Sequence, residues 1–127
     1  MLVVLGFYRR KPGLSHEAFS AYWRDVHGPM IRNHPEVSRY IKRYVQHHLT
    51  PSDMGRTTPL EFDGFSETWY ESRADREALQ ASEAFVQDIV PDEAVFLDLS
   101  RTRTAMFDDQ VVQIGDLFRG PAAQSAV

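Results

Sequence analysis

The chain opens on an apolar and aromatic run, Leu2-Val3-Val4-Leu5-Gly6-Phe7-Tyr8, which predicts a strand buried on both faces. Arg9-Arg10-Lys11-Pro12-Gly13 ends it in a polar turn. Apolar residues then return at helical spacing, with Phe19, Tyr22, Trp23 and Val26 at i, i+3, i+4 and i+7, one stripe of an amphipathic helix. Ser15 stands where an N-cap belongs, Glu17 falls in the first turn, and Leu14 is placed to staple onto Phe19. Gly28-Pro29 supplies the stop signal. These signs predict a helix over residues 15–27.

Past a turn closed by Pro35, residues 38–48 read as a second strand with enough cations to need one wet face. Thr50 to Pro59 is a polar loop long enough to act as a lid. Phe62 to Glu71 is the third strand, opened by Asp63-Gly64, with Phe65, Glu67 and Trp69 on one face and Ser66, Thr68 and Tyr70 on the other. Ser72 followed by Asp75 resembles a capping box and starts a helix to about Ser82, continued around Ala84–Ile89. Pro91-Asp92-Glu93 opens one more turn, and Arg101–Val112 is the fourth strand. The order β-α-β-β-α-β is the split βαβ arrangement of a ferredoxin-like α+β fold. One domain is expected over residues 1–112, with a C-terminal tail over 113–127. Helices on one face of a four-stranded sheet leave the other face bare, and an aromatic bare face demands a cover.

Composition narrows what that cover is. The 127 residues carry 14 Lys plus Arg against 18 Asp plus Glu, a formal net charge of −4, and no cysteine. Thiolate metal sites, disulfides and thiol nucleophiles are thereby excluded. An RNA-recognition module wants a basic domain and a Lys/Arg-Gly-Phe third strand, whereas this strand reads Asp63-Gly64-Phe65-Ser66-Glu67. A second copy, forming a dimeric α/β barrel around a pocket, is the better solution, and nucleic acid is not expected. The opening apolar run is too short to span a bilayer, so no membrane partner and a cytoplasmic location are expected. No phosphate loop or nucleophile elbow occurs. No metal is expected either, because His47 and His48 alternate across a strand and Gly28-Pro29 separates His27 from His34. No cofactor is anticipated. His16 reads as a solvated first-turn residue, and the Arg9-Arg10-Lys11 and Arg39/Lys42/Arg43 groups as solvated faces.

Several residues carry chemistry. His27, on the helix flank about 80° from the stripe begun by Phe19, is either a general acid or base at a pocket mouth or a partner of the last helical carbonyls. Tyr40 and Tyr44, four apart, share a strand face, where a phenol can orient or protonate a carbonyl oxygen. Thr68 and Tyr70 offer hydroxyls on one face of the third strand; Glu67 and Trp69 share the other. A mid-strand Glu67 needs a partner, which Arg103 or Arg43 can supply, and is either a salt bridge or a site acid.

The string Arg10-Lys11-Pro12-Gly13-Leu14-Ser15-His16-Glu17-x-Phe19-x-x-Tyr22-Trp23, with Val26-His27, resembles the opening of the EthD family. Arg39-Tyr40-x-x-x-Tyr44-Val45-Gln46-x-His48 and Asp63-Gly64-Phe65-x-Glu67-x-Trp69-Tyr70 continue the resemblance, which spans most of residues 3–110. It implies a dimeric α+β barrel of ferredoxin-like subunits, and a role in small-molecule catabolism beside a cytochrome P450 system that degrades ethyl tert-butyl ether. A related enzyme, 4-methylmuconolactone methylisomerase, uses a His and a Tyr thirteen residues apart, positions that His27 and Tyr40 match. Its site cysteine falls where Thr68 stands in this chain. The resemblance points to a cofactor-independent isomerase or lyase in which His27 and Tyr40 are catalytic; with the strand faces as read above, Tyr44, Thr68, Tyr70, Glu67, Trp69 and Arg103 are expected to contact a small hydrophobic, aromatic or lactone ligand. The alternatives are a cofactor-free monooxygenase, for which Trp69 would matter, and a non-enzymatic ligand-binding accessory protein.

Overall fold

The computed structural model describes residues 1–50 and 60–117. The loop read as a lid, at 51–59, and the end of the tail, at 118–127, lie outside the described residues. Strand β1 (Leu2–Tyr8) runs antiparallel to both β3 (Gly64–Tyr70) and β4 (Arg103–Phe107), while β2 (Arg43–His48) adds to the far side of β3. The sheet order β2-β3-β1-β4 puts the first and third strands in the middle, as the ferredoxin-like reading requires.

The two helical layers differ from the sequence expectation in one instructive way. Helix α1 (His16–Tyr22) starts as anticipated, with the Ser15 hydroxyl accepting from the Ala18 N–H at 3.0 Å. Gly28-Pro29 does not end it. A π-helical turn over Trp23–His27 carries the chain straight into α2 (Gly28–Arg32), where Pro29 occupies the first turn. The Gly28 N–H reaches back five residues to the Trp23 carbonyl. The wider turn accommodates a ring that has no N–H and would clash with a regular helix. The second helix layer repeats the device: α4 (Arg73–Ala81), capped by the Ser72 hydroxyl, leads to a π-helical turn at Phe85–Ile89, and Pro91 then sits in the first turn of α5 (Val90–Phe96).

Strand β2 is also shorter than read. Pro35 opens a four-residue helix, α3 (Pro35–Ser38), because its fixed φ suits a first turn, and pairing begins only at Arg43. Tyr40 therefore lies in the turn before the strand and does not share a strand face with Tyr44. Strand β4 likewise pairs over five residues, Arg103–Phe107, rather than over Arg101–Val112.

Two apolar clusters fill the space between sheet and helices. One joins Leu2, Val37, Tyr70, Leu79 and Ile89; the other joins Phe19, Trp23, Phe96 and Leu97, with Leu14 packed against it. Gly64 is required where it stands, since a Cβ there would lie 2.8 Å from the Trp23 ring and closer still to the His47 carbonyl. Beside it, Asp63 is fully buried and accepts from the Arg10 N–H at 2.9 Å, the Arg10 Nη1 at 2.6 Å and His16 Nδ1 at 2.9 Å. His16 Nε2 meets the Leu49 carbonyl at 2.9 Å. His16 is thus no solvated first-turn residue, and Arg10 is no free surface charge: burying Asp63 needs both.

Candidate active site

The π-helical turns matter most for the site. In an unbroken helix Val26 falls on the apolar stripe and His27 on its flank. The extra residue in the turn shifts that phase, leaving Val26 41% exposed and His27 only 2% exposed. The second π-helical turn and Pro91 bring Asp92 to meet it. His27 Nδ1 lies 2.7 Å from Asp92 Oδ2, and the Tyr22 hydroxyl donates to Asp92 Oδ1. Phe96 flanks the imidazole, ring centroids 4.8 Å apart. With the aspartate accepting, the ring hydrogen sits on Nδ1 and the lone pair on Nε2. No hydrogen bond occupies that Nε2 among the described residues. Burial holds the His27 pKa below its ordinary 6.5, and Asp92 only partly restores it. The imidazole is therefore neutral at pH 7. Burial and Asp92 together push the Tyr22 phenol up to about 12, so it stays a donor.

His27 lines a cavity of about 350 Å³, within the size range of small-molecule sites. The cavity lies inside one chain, between the helices and the sheet, rather than between two sheets. Its floor is Val4, Gly6, Ser66, Thr68 and Tyr70; Tyr8, Tyr44 and Glu93 rise around it. Gly6 keeps the floor low, since a Cβ there would sit 2.8 Å from both Ser66 Oγ and the Tyr8 ring. The Ser66 hydroxyl donates to the Tyr8 oxygen at 3.1 Å, and the Gln46 amide donates to the Tyr44 oxygen at 3.1 Å. Burial is the main cause of the raised pKa of Tyr8 and Tyr44, and it pushes Tyr70 up to about 12. Burial, reinforced by neighbouring Asp92, lifts the Glu93 carboxyl to about 7. One wall thus carries a neutral imidazole and a carboxyl that still holds its proton near neutrality, a base and an acid.

Of the residues singled out from sequence, His27, Tyr44, Thr68 and Tyr70 come together on this cavity. Tyr40, Glu67, Trp69 and Arg103 do not line it. The Tyr40 hydroxyl accepts from Arg39 at 2.7 Å. Glu67 lies on the opposite face of β3, where it accepts from Trp69 Nε1 at 2.6 Å and meets His47 at 2.9 Å; Arg43 stands 3.9 Å away. Arg103 donates to the Ser100 and Thr102 carbonyls instead. Sequence reasoning placed Pro91-Asp92-Glu93 at the opening of one more turn, where α5 does begin, but missed Asp92 and Glu93 as residues of the site. The available signal was the acidic pair interrupting an otherwise apolar run from Ile89 to Leu97. Among the described residues no group of three His, Asp or Glu is placed to share a metal ion, and no helix is long and apolar enough to cross a membrane.

Comparison with solved structures agrees with this architecture. An EthD family protein from Bacillus halodurans C-125 superposes with a TM-score of 0.64 at 16% identity, over 87% of this chain and 100% of that one. HapK from Hahella chejuensis gives 0.60 at 12% identity, over 94% and 100% of the two chains. A dimeric protein of ferredoxin-like fold from Bacteroides fragilis NCTC 9343 gives 0.61 at 9% identity, over 85% and 95%. At such identities the likeness is one of fold. Sequence carries the assignment further: the EthD domain model matches residues 11–100, a stretch that takes in His16, His27, Asp63 and Asp92 and runs past the end of α5, and the chain belongs to the EthD family.

Proposed function

We propose that this protein is a cofactor-independent isomerase or lyase of small-molecule catabolism that works by proton transfer inside the helix–sheet cavity. The observation that carries the reading is the unoccupied His27 Nε2 on the cavity wall, backed through Nδ1 by Asp92. In the reaction, Nε2 takes a proton from a carbon beside a carbonyl or lactone carbonyl. The electron pair left behind delocalises onto the carbonyl oxygen. The Glu93 carboxyl and the Tyr44 hydroxyl, both on the same cavity, donate to that oxygen. Return of the proton from His27 to a carbon further along the conjugated system completes an isomerisation. Departure of a leaving group completes an elimination. Tyr40 belongs to a supporting role under this reading, through its contact with Arg39.

The test is exchange and migration of C–H protons in unsaturated γ-lactones, followed by NMR in D₂O. Wild-type protein should exceed buffer alone, and His27→Ala should lose about two to four powers of ten of that rate. A wild-type rate equal to buffer, or a variant with undiminished rate, sinks the catalytic reading. The non-enzymatic carrier is then what remains.

The same reading includes a homodimer. On the sheet face turned away from the helices Val3 and Trp69 are already buried within the chain, while Leu5, Phe7 and Phe65 stay partly exposed, and a second copy laid against that face would cover these three. Light scattering at micromolar concentration should give twice the 14.6 kDa chain mass.

A further inference from the structure

The proton-transfer scheme leaves unused the one arginine that lines the cavity. Arg76 on α4 lines the cavity and is half-buried. Its charge is felt at Tyr70, where it opposes the dominant effect of burial. No hydrogen bond or ion pair satisfies its guanidinium among the described residues. The one carboxyl on the cavity wall is Glu93, whose pKa burial lifts to about 7, so at neutral pH it is only a partial counter-ion. A guanidinium set into a partly dry wall without a partner is incompletely compensated.

A second observation points the same way. A groove of about 650 Å³ runs along the edge strand β2 against α2 and shares Ile31, Ile41 and Tyr44 with the cavity. Its walls carry Arg24, Arg32, Lys42 and Arg43 and no carboxylate. Arg24 pairs with Asp25 at 3.1 Å and Arg43 stands 3.9 Å from Glu67. Arg32 touches only the uncharged Asn33 side chain, and Lys42 meets no acid among the described residues. On a chain with net charge −4, this positive approach is local and opposes the overall charge, which is how an anion is steered.

We propose that the molecule this cavity accepts carries a carboxylate, seated on the Arg76 guanidinium and steered inward past Arg32 and Lys42. The inference rests on the functional reading above for the location of the site, and adds the chemical class of the ligand. A single planar guanidinium matches a single carboxylate in bidentate geometry.

The test compares 3-phenylpropionate with its uncharged amide, 3-phenylpropionamide, by isothermal titration at pH 7. The carboxylate should bind wild-type protein at least about tenfold more tightly, as a charge-assisted pair would give. Arg76→Gln should erase that preference, Arg76→Lys should keep part of it, and Arg32→Gln with Lys42→Gln should flatten the salt dependence of association. Equal affinity for the two probes, no binding of the carboxylate, or an undiminished preference in Arg76→Gln overturns the proposal. The wild-type comparison decides even if a variant folds poorly. His27→Ala separates the two readings, since it should stop proton exchange and keep the carboxylate preference. A protein that prefers the anion yet exchanges no lactone protons fails only as a catalyst. One that exchanges them without preferring the anion fails only here.

Discussion

Two buried histidines in this chain each hold an aspartate through Nδ1, His16 with Asp63 at 2.9 Å and His27 with Asp92 at 2.7 Å. Their second ring nitrogens part company. That of His16 is consumed by the Leu49 carbonyl, and Asp63 is further tied to the Arg10 backbone and side chain. That of His27 has no partner among the described residues, and its ring lines a cavity. The first pair is a clip that joins the end of β1, the start of α1 and the entry to β3. The second has the parts of a proton-transfer device. A His–Asp pair by itself distinguishes nothing; the environment of the remaining nitrogen does. Arg10, His16 and Asp63-Gly64 also carry much of the family resemblance, so a good part of that motif string records architecture rather than chemistry.

Removing the aspartates should separate the two regions most widely. Asp63→Ala strands Arg10 and His16 and should cost about 3–5 kcal/mol in urea unfolding. Asp92→Asn should cost much less stability. Its signature is kinetic: about a hundredfold slower proton exchange, with the acidic limb of the pH profile moved to lower pH, because Asp92 raises the His27 pKa against the larger effect of burial. An unmoved limb would show that Asp92 does not act through His27.

Acid and base dependence of stability sharpens the contrast further, since the two regions carry opposite signs. Hydrogen bonds from Arg10 and His16 outweigh burial and hold the Asp63 pKa below 3.8. Its contribution is present above that ordinary value and lost as pH falls through the lower folded one. Glu93 is raised from 4.5 to about 7, so the folded protein keeps a proton that the unfolded chain releases. Stability should therefore decline between those two pH values, and Glu93→Gln should recover about 3 kcal/mol at pH 8 while changing little at pH 4.5. Urea titrations at both pH values measure it. The smallest effect expected is that of Tyr22→Phe, which removes one donor from Asp92 and should lower stability by about 1 kcal/mol.

What the sequence disclosed was local. The Ser15 and Ser72 caps, the apolar first strand and the alternation of Phe65, Glu67 and Trp69 against Ser66, Thr68 and Tyr70 depend on neighbours within a few residues, and they stand as read. The βαββαβ order followed from them. The site is different in kind, because His27 and Asp92 are 65 residues apart and His16 and Asp63 are 47 apart. No periodicity reports such a meeting. Pro29 was read through the rule that proline stops a helix, and there the rule gave way to a wider turn; Pro91 opens a helical turn as read, with a wider turn before it that no local signal announced. Val26 facing outward and His27 inward is the direct result of the first of these wider turns.

That widening has a genetic corollary. Each helix contains one more amino acid than a regular spiral of the same rise would hold, so the chemistry of this molecule is encoded in a length rather than in an identity. Deleting one codon within residues 24–26 would restore regular winding, swing the imidazole around the axis by roughly 100°, and part it from its carboxylate while every named side chain of the site survived in the gene.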